Sequence, residues 1–391
     1  MPRLTRLVIS SIAIGLLWAV SAAAQAFDTK ATAAYVLDQT TGTVLMSKNA
    51  DEPLPPASMS KLMTIYMAFE AVADGRLGIT ERLPVSEHAA TYGGSTMFLD
   101  TTDRVSVEDL LRGVIVLSGN DASAVLGEAI GGTEPAFARM MTERAQQMGL
   151  TNSTFKNSNG WPAVGHRMSM RDLGVLADRL ITDFPTYYPL FNEQTFAFDG
   201  RAPANSNNRN PLLGLGIGAD GLKTGHTQEA GYGLVGSAKQ GDRRVIFVLT
   251  GLDSEAERAE EAEKIVNWAF RQFAQKDVVR AGSQIAHADV WMGDAPTVGL
   301  TVAEDLSLLL PVINQDAVDA QVVYDGPLQA PISAGERVGD LIISVDGLPD
   351  TTVPLVATDD VAEGGFETRL RVAAQVLLEK IGALGAEDNP A

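Results

Sequence analysis

The chain has 391 residues, 45% of them hydrophobic and 6% aromatic, a composition typical of a globular protein with room for two domains. It contains no cysteine, which excludes disulfides, thiol catalysis and thiolate metal sites, and its four histidines are dispersed, so neither a metal nor another cofactor is expected. The formal net charge of −19 would repel phosphate backbones, so nucleic acid is excluded as a partner.

The first 26 residues have the order of a cleavable secretory signal peptide. Arg3 and Arg6 precede an apolar stretch, Leu7–Val20, and an A-x-A cleavage pattern follows at 24–26. The apolar stretch is short for a membrane span, which makes an uncleaved anchor the weaker alternative. We therefore expect residues 1–26 to direct export and the mature protein to be secreted.

The mature chain is predicted to begin with a hairpin and a helix. The apolar runs Ala33–Leu37 and Gly42–Met46 flank turn-forming residues and predict a β-hairpin. Pro55–Ala68 then predicts a helix that carries Ser58 and Lys61 on one face of its first turn. A serine is a nucleophile when a neighbouring base accepts its proton, and lysine is such a base if burial or a second cation lowers its pKa. The same spacing also occurs in a helix N-cap followed by a solvated lysine.

A helical lobe is predicted after the first strands. Ser106–Ile130 has helical periodicity with a break at 118–120, where glycine and asparagine separate two helices. Glu134–Met148 predicts another helix, and Ser169 has the spacing of an N-cap for the next. Loops rich in small polar residues are expected at Pro84–Asp103 and Asn152–Gly165.

From Gly218 the pattern changes to strands. A sheet is predicted from Gly221–Gly225, Tyr232–Ala238 and Val245–Thr250, and Ala256–Phe273 predicts a long helix that packs on it. Short alternating runs after Gln275, among them Gln284–Trp291, Val298–Leu310, Ala320–Tyr324 and Asp340–Val345, predict a small all-β domain. The expected division is 27–275 for an α/β domain, 276–363 for the all-β domain and 364–391 for a terminal segment.

The terminal segment contains an amphipathic helix, Phe366–Leu384. Such a helix either packs on the all-β domain or lies in a membrane interface. Its charge is only slightly positive, so weak attraction to anionic lipid is expected. The apolar face is formed by Phe366, Leu370, Ala373, Leu377, Ile381 and Leu384.

Three short motifs follow one another along the chain, each in the local structure that its chemistry needs: Ser58-x-x-Lys61, Ser118-Gly119-Asn120 and Lys223-Thr224-Gly225. This set is the signature of penicillin-binding proteins and class A β-lactamases, and it is far more specific than any of its parts. From Ala33 to Phe273 the chain resembles the D-alanyl-D-alanine carboxypeptidases, which are low-molecular-mass penicillin-binding proteins. The resemblance also rests on His226-Thr227, Ala230-Gly231-Tyr232, Gly165-His166 and Ser169-x-Arg171-Asp172.

The resemblance implies a fold, an activity and a location. The fold is an α/β (α+β) catalytic domain with an antiparallel sheet and a helical lobe, followed by the all-β domain and the amphipathic helix. The activity is removal of the terminal D-alanine from peptidoglycan stem pentapeptides through an acyl-enzyme, with β-lactam antibiotics as inhibitors. The location is the bacterial periplasm, with the C-terminal helix on the inner-membrane surface, and the resemblance favours this over packing on the β domain.

It also assigns the reacting groups. Ser58 attacks the carbonyl carbon, and Lys61, neutral because of burial and a nearby cation from Lys223, accepts its proton. Ser118 relays a proton to the leaving amine, and the Asn120 amide holds Lys61 or the substrate backbone.

Substrate-binding groups are assigned by the same comparison. The backbone N–H groups of Ser58 and His226 form the oxyanion hole. Lys223 and Thr224, followed by Gly225 in the same motif, bind the terminal carboxylate. Arg258 either reaches that carboxylate or is a solvated member of a charged run. The side chains of His226 and His166 are expected to be a pocket-wall residue and a hydrogen-bonded loop residue.

Three alternatives remain at this point. A class A β-lactamase would use a glutamate in an E-x-x-L-N segment, and the sequence contains none. A D,D-endopeptidase would use the same site and cannot be separated by motif. A non-catalytic peptidoglycan-binding protein is opposed by the intact Ser58, Lys61, Ser118 and Lys223.

Overall fold

The computed structural model describes residues 27–201, 205–312, 318–345 and 348–370, together with 372 and 374. The predicted signal peptide, 1–26, lies outside the described residues. The helices are α1 (Lys61–Ala73), α2 (Glu87–Ala90), α3 (Val107–Arg112), α4 (Asn120–Gly131), α5 (Glu134–Gln147), α6 (Met170–Asp183) and α7 (Glu255–Gln272). The strands are β1 (Ala33–Asp38), β2 (Thr43–Lys48), β3 (Arg82–Pro84), β4 (Arg104–Ser106), β5 (Ala219–Thr227), β6 (Gly231–Gln240), β7 (Arg243–Leu252), β8 (Phe273–Val279), β9 (Ala286–Trp291), β10 (Thr297–Val302), β11 (Leu306–Pro311), β12 (Val318–Val323), β13 (Leu328–Gln329), β14 (Arg337–Val345) and β15 (Thr351–Ala357).

A five-stranded antiparallel sheet forms the centre of the first half, in the order β2-β1-β7-β6-β5. The predicted hairpin is β1 paired with β2, and β7 joins it to the hairpin of β5 and β6. Strand β5, which carries the K-T-G motif, is therefore an outer strand of this sheet. Helix α7 packs against β6 and β7 on one face, and α6 packs on the other.

Helix α1 runs through the middle of the helical lobe. It contacts α4, α5 and α6, and most of its length is buried. A helix that is apolar on nearly every side needs such a position. Its first residue, Lys61, is consequently placed in the core rather than at the surface.

The lobe contains elements that the sequence pattern did not reveal. The expected loop at Pro84–Asp103 connects β3 to β4, which pair as two short antiparallel strands, and it contains the short helix α2. Strands of three residues are too short for alternation to be recognised. The predicted break at 118–120 is confirmed: α3 continues as a π-helical turn, Gly113–Leu117, and α4 starts at Asn120.

The second half is an all-β region, as predicted, with its own apolar core. Its main sheet has the order β12-β14-β15-β10-β9-β13. Two boundaries differ from the sequence prediction. Phe273, expected to end the long helix, is the first residue of β8, and the run Val298–Leu310 is split into β10 and β11. Strand β11 pairs with β8 in a separate two-stranded sheet, because Glu304 and Asp305 interrupt the apolar run.

The terminal helix is described only at its start. Residues 366–370 are helical, and the first two apolar-face residues, Phe366 and Leu370, are 80% and 61% exposed. Ala373, Leu377, Ile381 and Leu384 lie outside the described residues. Among the helices that the structure describes, none has the length and apolar character needed to cross a bilayer.

Candidate active site

Ser58 lies in a tight 3-10 turn, Ala57–Ser60, that leads directly into α1. Ala57 has a positive φ of 49°, a conformation that is uncommon for a residue other than glycine and recurs at functional sites. Strand β5 packs closely against this turn: a Cβ atom at Gly225 would lie 2.9 Å from Met59 Cγ and 3.0 Å from the Pro56 carbonyl oxygen. Glycine in the K-T-G motif thus lets the strand approach the serine.

Lys61 is fully buried beneath Ser58. Its Nζ lies 2.9 Å from Ser58 Oγ, 2.7 Å from Asn120 Oδ1 and 2.6 Å from the Asn159 carbonyl oxygen. Because the last two atoms are acceptors, a neutral amine donates its two hydrogens to them and directs its lone pair at the Ser58 hydroxyl. This is the geometry in which a lysine can accept the serine proton.

The electrostatics favour that neutral form. Burial is the main cause that lowers the pKa of Lys61, and the Arg209 cation lowers it further, while Asp121 and Glu134 oppose them, giving a pKa of about 7. Burial together with Lys61, Arg209 and Arg258 also holds the pKa of Lys223 well below its usual value. The cation that lowers the pKa of Lys61 is therefore Arg209 and not Lys223, as the sequence had led us to expect. Lys223 is itself held in a form of low basicity by burial and the same arginine.

The S-G-N motif forms the second side of the site. Ser118 is buried and has the left-handed φ of 62° between the π-helical turn and α4. Asn120, besides accepting from Lys61, donates through Nδ2 to the Gly93 carbonyl oxygen at 2.8 Å. Asp121 accepts from the backbone N–H groups of Met97 and Leu99 at 2.9 and 3.1 Å, which fixes the loop over the motif.

The third side is β5. Lys223 and Thr224 are buried, and Lys223 Nζ donates to the Thr224 carbonyl oxygen at 3.2 Å. The His226 side chain is exposed, and its ring stacks on Tyr232 with 3.9 Å between ring centroids. The serine, the buried lysine and the K-T-G strand thus meet at one place, as the motifs predict.

Arg258 is not solvated, since only 4% of it is exposed. Its guanidinium lies 5.8 Å from the centroid of the Tyr232 ring, and Nη2 donates to the Arg209 carbonyl oxygen at 3.4 Å. Nε is buried without a hydrogen-bond partner in the described part of the chain. The interpretation of Arg258 as a solvated residue is therefore wrong: the arginine is buried and lowers the pKa of Lys223. Its contact with a substrate carboxylate stays a prediction.

Arg209 is a residue that the motifs did not reveal. Its Nη1 donates to Ser95 Oγ and its Nη2 to Asn205 Oδ1, both at 2.7 Å. It lies in an irregular segment without periodicity, and its partner Ser95 is far away in the sequence. Only the fold brings this cation to Lys61 and Lys223.

His166 is a hydrogen-bonded loop residue, as expected. It is buried, and its Nδ1 accepts from the Lys156 backbone N–H at 3.3 Å. Burial, with Lys61 and two other nearby cations, lowers the pKa of His166 to about 4, so the ring is neutral at physiological pH. In the described ranges, no three acidic or histidine side chains come together as a metal site.

Comparisons with known proteins find relatives over most of the chain. The family model described as D-alanyl-D-alanine carboxypeptidase matches residues 19–254, and that of the penicillin-binding protein 5 C-terminal domain matches 273–363. The D-alanyl-D-alanine carboxypeptidase DacC of Escherichia coli is 37% identical over 344 residues, covering 86% of this chain and 85% of its own.

Solved structures show the same fold. Penicillin-binding protein 5 of Haemophilus influenzae superposes with a TM-score of 0.74 at 34% identity, over 86% of this chain and 99% of that one. Penicillin-binding protein D2 of Listeria monocytogenes, in its ampicillin-bound form, matches 62% of this chain and 98% of its own with a TM-score of 0.57 at 31% identity. The chain belongs to the D-alanyl-D-alanine carboxypeptidase family of serine peptidases.

Proposed function

We propose that this carboxypeptidase removes the terminal D-alanine of peptidoglycan stem pentapeptides through an ester on Ser58, with Lys61 as the base. The observation that carries the proposal is the 2.9 Å contact between Ser58 Oγ and the fully buried Lys61 Nζ. Since the pKa of Lys61 is about 7, a large fraction of this amine is neutral at physiological pH. Ser58 itself is partly exposed and can be reached by a peptide.

The reaction has two halves. In the first, Ser58 Oγ bonds to the carbonyl carbon of the penultimate D-alanine while Lys61 accepts its proton, and the carbonyl electrons move to an oxyanion held by the backbone N–H groups of Ser58 and His226. The C–N bond then breaks as the proton that Lys61 accepted passes through Ser118 to the leaving amine, which leaves Lys61 neutral again. In the second half, water bonds to the ester carbonyl carbon while Lys61 accepts its proton. The bond between that carbon and Ser58 Oγ then breaks, Oγ takes the proton back from Lys61, and the shortened peptide leaves with a free carboxyl group.

Three groups are proposed to bind the substrate's free carboxylate: Lys223 Nζ, the Thr224 hydroxyl and the Arg258 guanidinium. Lys223 and Arg258 are both buried, and burial together with the nearby cations, Arg258 among them, lowers the pKa of Lys223. An incoming carboxylate would raise that pKa again and pair with both groups. A charge-assisted hydrogen bond of this kind is worth about 1.5–3 kcal/mol. An internal peptide bond offers no such charge, so these residues select the C-terminal end.

The first prediction follows from that carboxylate. Amidation of the terminal D-alanine in diacetyl-Lys-D-Ala-D-Ala should lower kcat/KM of the wild type by about ten- to a hundred-fold, because the ion pair with Lys223 is lost. Lys223→Ala should cleave the free acid poorly and discriminate little between acid and amide. D-Alanine release is measured for both peptides with each protein.

Arg258→Ala is tested in the same assay. Because the Arg258 guanidinium is buried and acts on Lys223, the variant should lose part of the preference for the free acid over the amide. Arg271→Ala, on the same helix but away from β5, serves as the matched control and should keep it. Equal cleavage of acid and amide by the wild type would contradict the carboxylate model and favour an endopeptidase.

β-Lactams are proposed to acylate Ser58 in the same way. They present a reactive amide carbonyl next to a carboxylate, which are the two features that Ser58 and Lys223 are placed to meet. The ampicillin-bound relative supports this assignment. Because the resulting ester fills the position of the first half-reaction product, it would block the site to peptide.

We further propose a periplasmic location, with the helix of Phe366–Leu384 lying on the inner-membrane surface. Support comes from the signal-peptide pattern and from the exposure of Phe366 and Leu370, which do not pack on the β region. Exposed large apolar side chains at a four-residue spacing on a helix suit the boundary between headgroups and acyl chains.

A second prediction tests the helix. A protein that ends at Gly364 should keep its activity on a soluble peptide but should no longer sediment with phospholipid vesicles, because the apolar face is missing. In the full chain, Phe366→Ser with Leu370→Ser should weaken sedimentation, whereas Glu367→Gln, on the polar face, should not. If the truncated and full proteins sediment equally, the membrane assignment is wrong.

A further inference from the structure

Glu134, the first residue of α5, is a buried carboxylate next to the active site, with only 4% of it exposed. Its Oε1 accepts from the Ser158 backbone N–H at 2.9 Å and from Ser158 Oγ at 2.5 Å. Its Oε2 accepts from Tyr92 OH at 2.7 Å and lies 2.5 Å from His88 Nε2. None of the three motifs contains this residue, yet its hydrogen bonds reach two sides of the site.

The first of these sides positions the base. Ser158 donates two hydrogen bonds to Glu134, through its backbone N–H and its hydroxyl. The Ser158 carbonyl oxygen in turn accepts from Thr64 Oγ1 on α1 at 2.5 Å. The next carbonyl, that of Asn159, accepts from Lys61 Nζ. Gly160 then turns with a φ of +81°, and a Cβ there would lie 1.9 Å from the Ala57 carbonyl oxygen, so the segment packs directly against the serine turn.

The second side positions Asn120. Tyr92, bonded to Glu134, precedes Gly93, whose carbonyl oxygen accepts from Asn120 Nδ2. That bond leaves Asn120 Oδ1 directed at Lys61. Both oxygen acceptors of the Lys61 amine, the Asn159 carbonyl and Asn120 Oδ1, therefore belong to segments that are bonded to one carboxylate.

The carboxylate is stable as an anion in this place. Burial works to raise the pKa of Glu134, but hydrogen bonds from Ser158, His88 and Tyr92 outweigh it, so the pKa is lowered. A negative charge at the first position of a 14-residue helix is also favoured by the helix dipole. A fixed negative charge near Lys61 stabilises the ammonium form and sets how basic the amine is.

We propose that Glu134 is a positioning residue for acylation, which orients the two acceptors of Lys61 through Ser158 and Tyr92 and adjusts the basicity of the amine by its charge. The inference rests on the mechanism proposed above and extends it. The charged and titratable groups that face Lys61 are Asp121, Glu134, His166, Arg209 and Lys223, and those that face Glu134 are His88, Tyr92 and Lys61.

Two substitutions separate orientation from charge. Glu134→Gln keeps the shape, since the amide oxygen accepts from Ser158 while its NH₂ donates to Tyr92 OH or His88 Nε2. Glu134→Ala removes both the bonds and the charge. Glu70→Gln is the matched control, because Glu70 forms a half-buried ion pair with Arg144 that lies outside this network.

The experiment measures the acylation rate of the full mature chain by a fluorescent penicillin between pH 5 and 9. In Glu134→Gln the acidic limb should move to lower pH by about half a unit, a relative gain of about threefold at low pH, while the plateau stays within about threefold of wild type. In Glu134→Ala the plateau should fall about tenfold or more, the effect of losing the hydrogen bonds that orient the base. Glu70→Gln should match the wild type in both.

If Glu134 had only a structural role, its substitutions would change the midpoint of thermal unfolding but would not shift the acidic limb of the pH–rate profile. An unmoved limb in Glu134→Gln, or a plateau within twofold of wild type in Glu134→Ala, overturns the inference. If Glu134→Ala does not fold, Ser158→Ala takes its place, because it deletes the hydrogen bond from Ser158 Oγ to Glu134. A plateau within twofold of wild type in Ser158→Ala then overturns the inference. A wild type that is not acylated on Ser58 overturns the mechanism itself, whereas an acylated wild type with an unmoved limb overturns only the role of Glu134.

Discussion

Ser58→Ala will form no covalent adduct with benzylpenicillin and will release no D-alanine, whereas the wild-type protein will gain the mass of one penicillin. The reason is chemical: the attacking oxygen is absent, and Lys61, although still present, has no hydroxyl to deprotonate at 2.9 Å. Intact-mass spectrometry before and after incubation gives the result directly, and D-alanine release from a soluble peptide gives the activity.

Ser60 provides a matched control in the same turn. Its hydroxyl is buried and makes no hydrogen bond within the described residues, so Ser60→Ala removes a hydroxyl from the same turn without breaking a hydrogen bond. This variant should be acylated at the wild-type rate. An adduct that persists in Ser58→Ala would mean that another nucleophile reacts and would contradict the assignment of Ser58.

The catalytic motifs could be found in the sequence because each is a short segment and the set of three is a known family signature. Ser58 and Lys61 meet within a single turn, and the glycine and asparagine that follow Ser118 predict the break between two helices. The fold class was confirmed as well. Helical periods before Gly218 and alternating runs after it predicted a helical lobe and a sheet, and the family resemblance implied that the sheet is antiparallel.

Long-range partners were not predictable in this way. Arg209 bonds to Ser95, and Glu134 bonds to Tyr92 and Ser158, each pair separated by many residues and without a characteristic spacing. The second acceptor of Lys61 is the backbone carbonyl of Asn159, a group that every residue has and no side-chain pattern reveals. Such contacts depend on how loops close over the site, which local periodicity does not determine.

The same limit applies to the prediction of basicity. The sequence suggested that burial and Lys223 would lower the pKa of Lys61. Burial is the largest cause, but the cation that lowers this pKa is Arg209 and not Lys223. The magnitude, however, is set by a balance of Arg209 against Asp121 and Glu134, three groups that come from different parts of the chain. The effect of such a charge balance on the pKa depends on the distances between the groups, which only the folded structure gives.

The second prediction with a large expected effect concerns Lys61 as the base. If Lys61 is the base, the rate at which benzylpenicillin acylates the wild type should depend on pH. Lys61 accepts a proton only when neutral, so the rate should be at its plateau above a pKa of about 7 and fall about tenfold for each pH unit below it. Removing the amine removes both the base and its titration. Lys61→Ala should therefore acylate about 10²- to 10⁴-fold more slowly at the plateau, without an acidic limb near pH 7.

Lys61→Met serves as the second variant, because it fills the volume of the buried side chain and so guards against a loss caused by a cavity alone. Both variants should retain a cooperative thermal transition, since a desolvated amine is exchanged for an apolar group. Stopped-flow acylation between pH 5 and 10 distinguishes the outcomes. If either folded variant acylates within tenfold of the wild type, or keeps the limb near pH 7, another group is the base, and the roles of Asn120 and Asn159 as its acceptors must be reassigned with it.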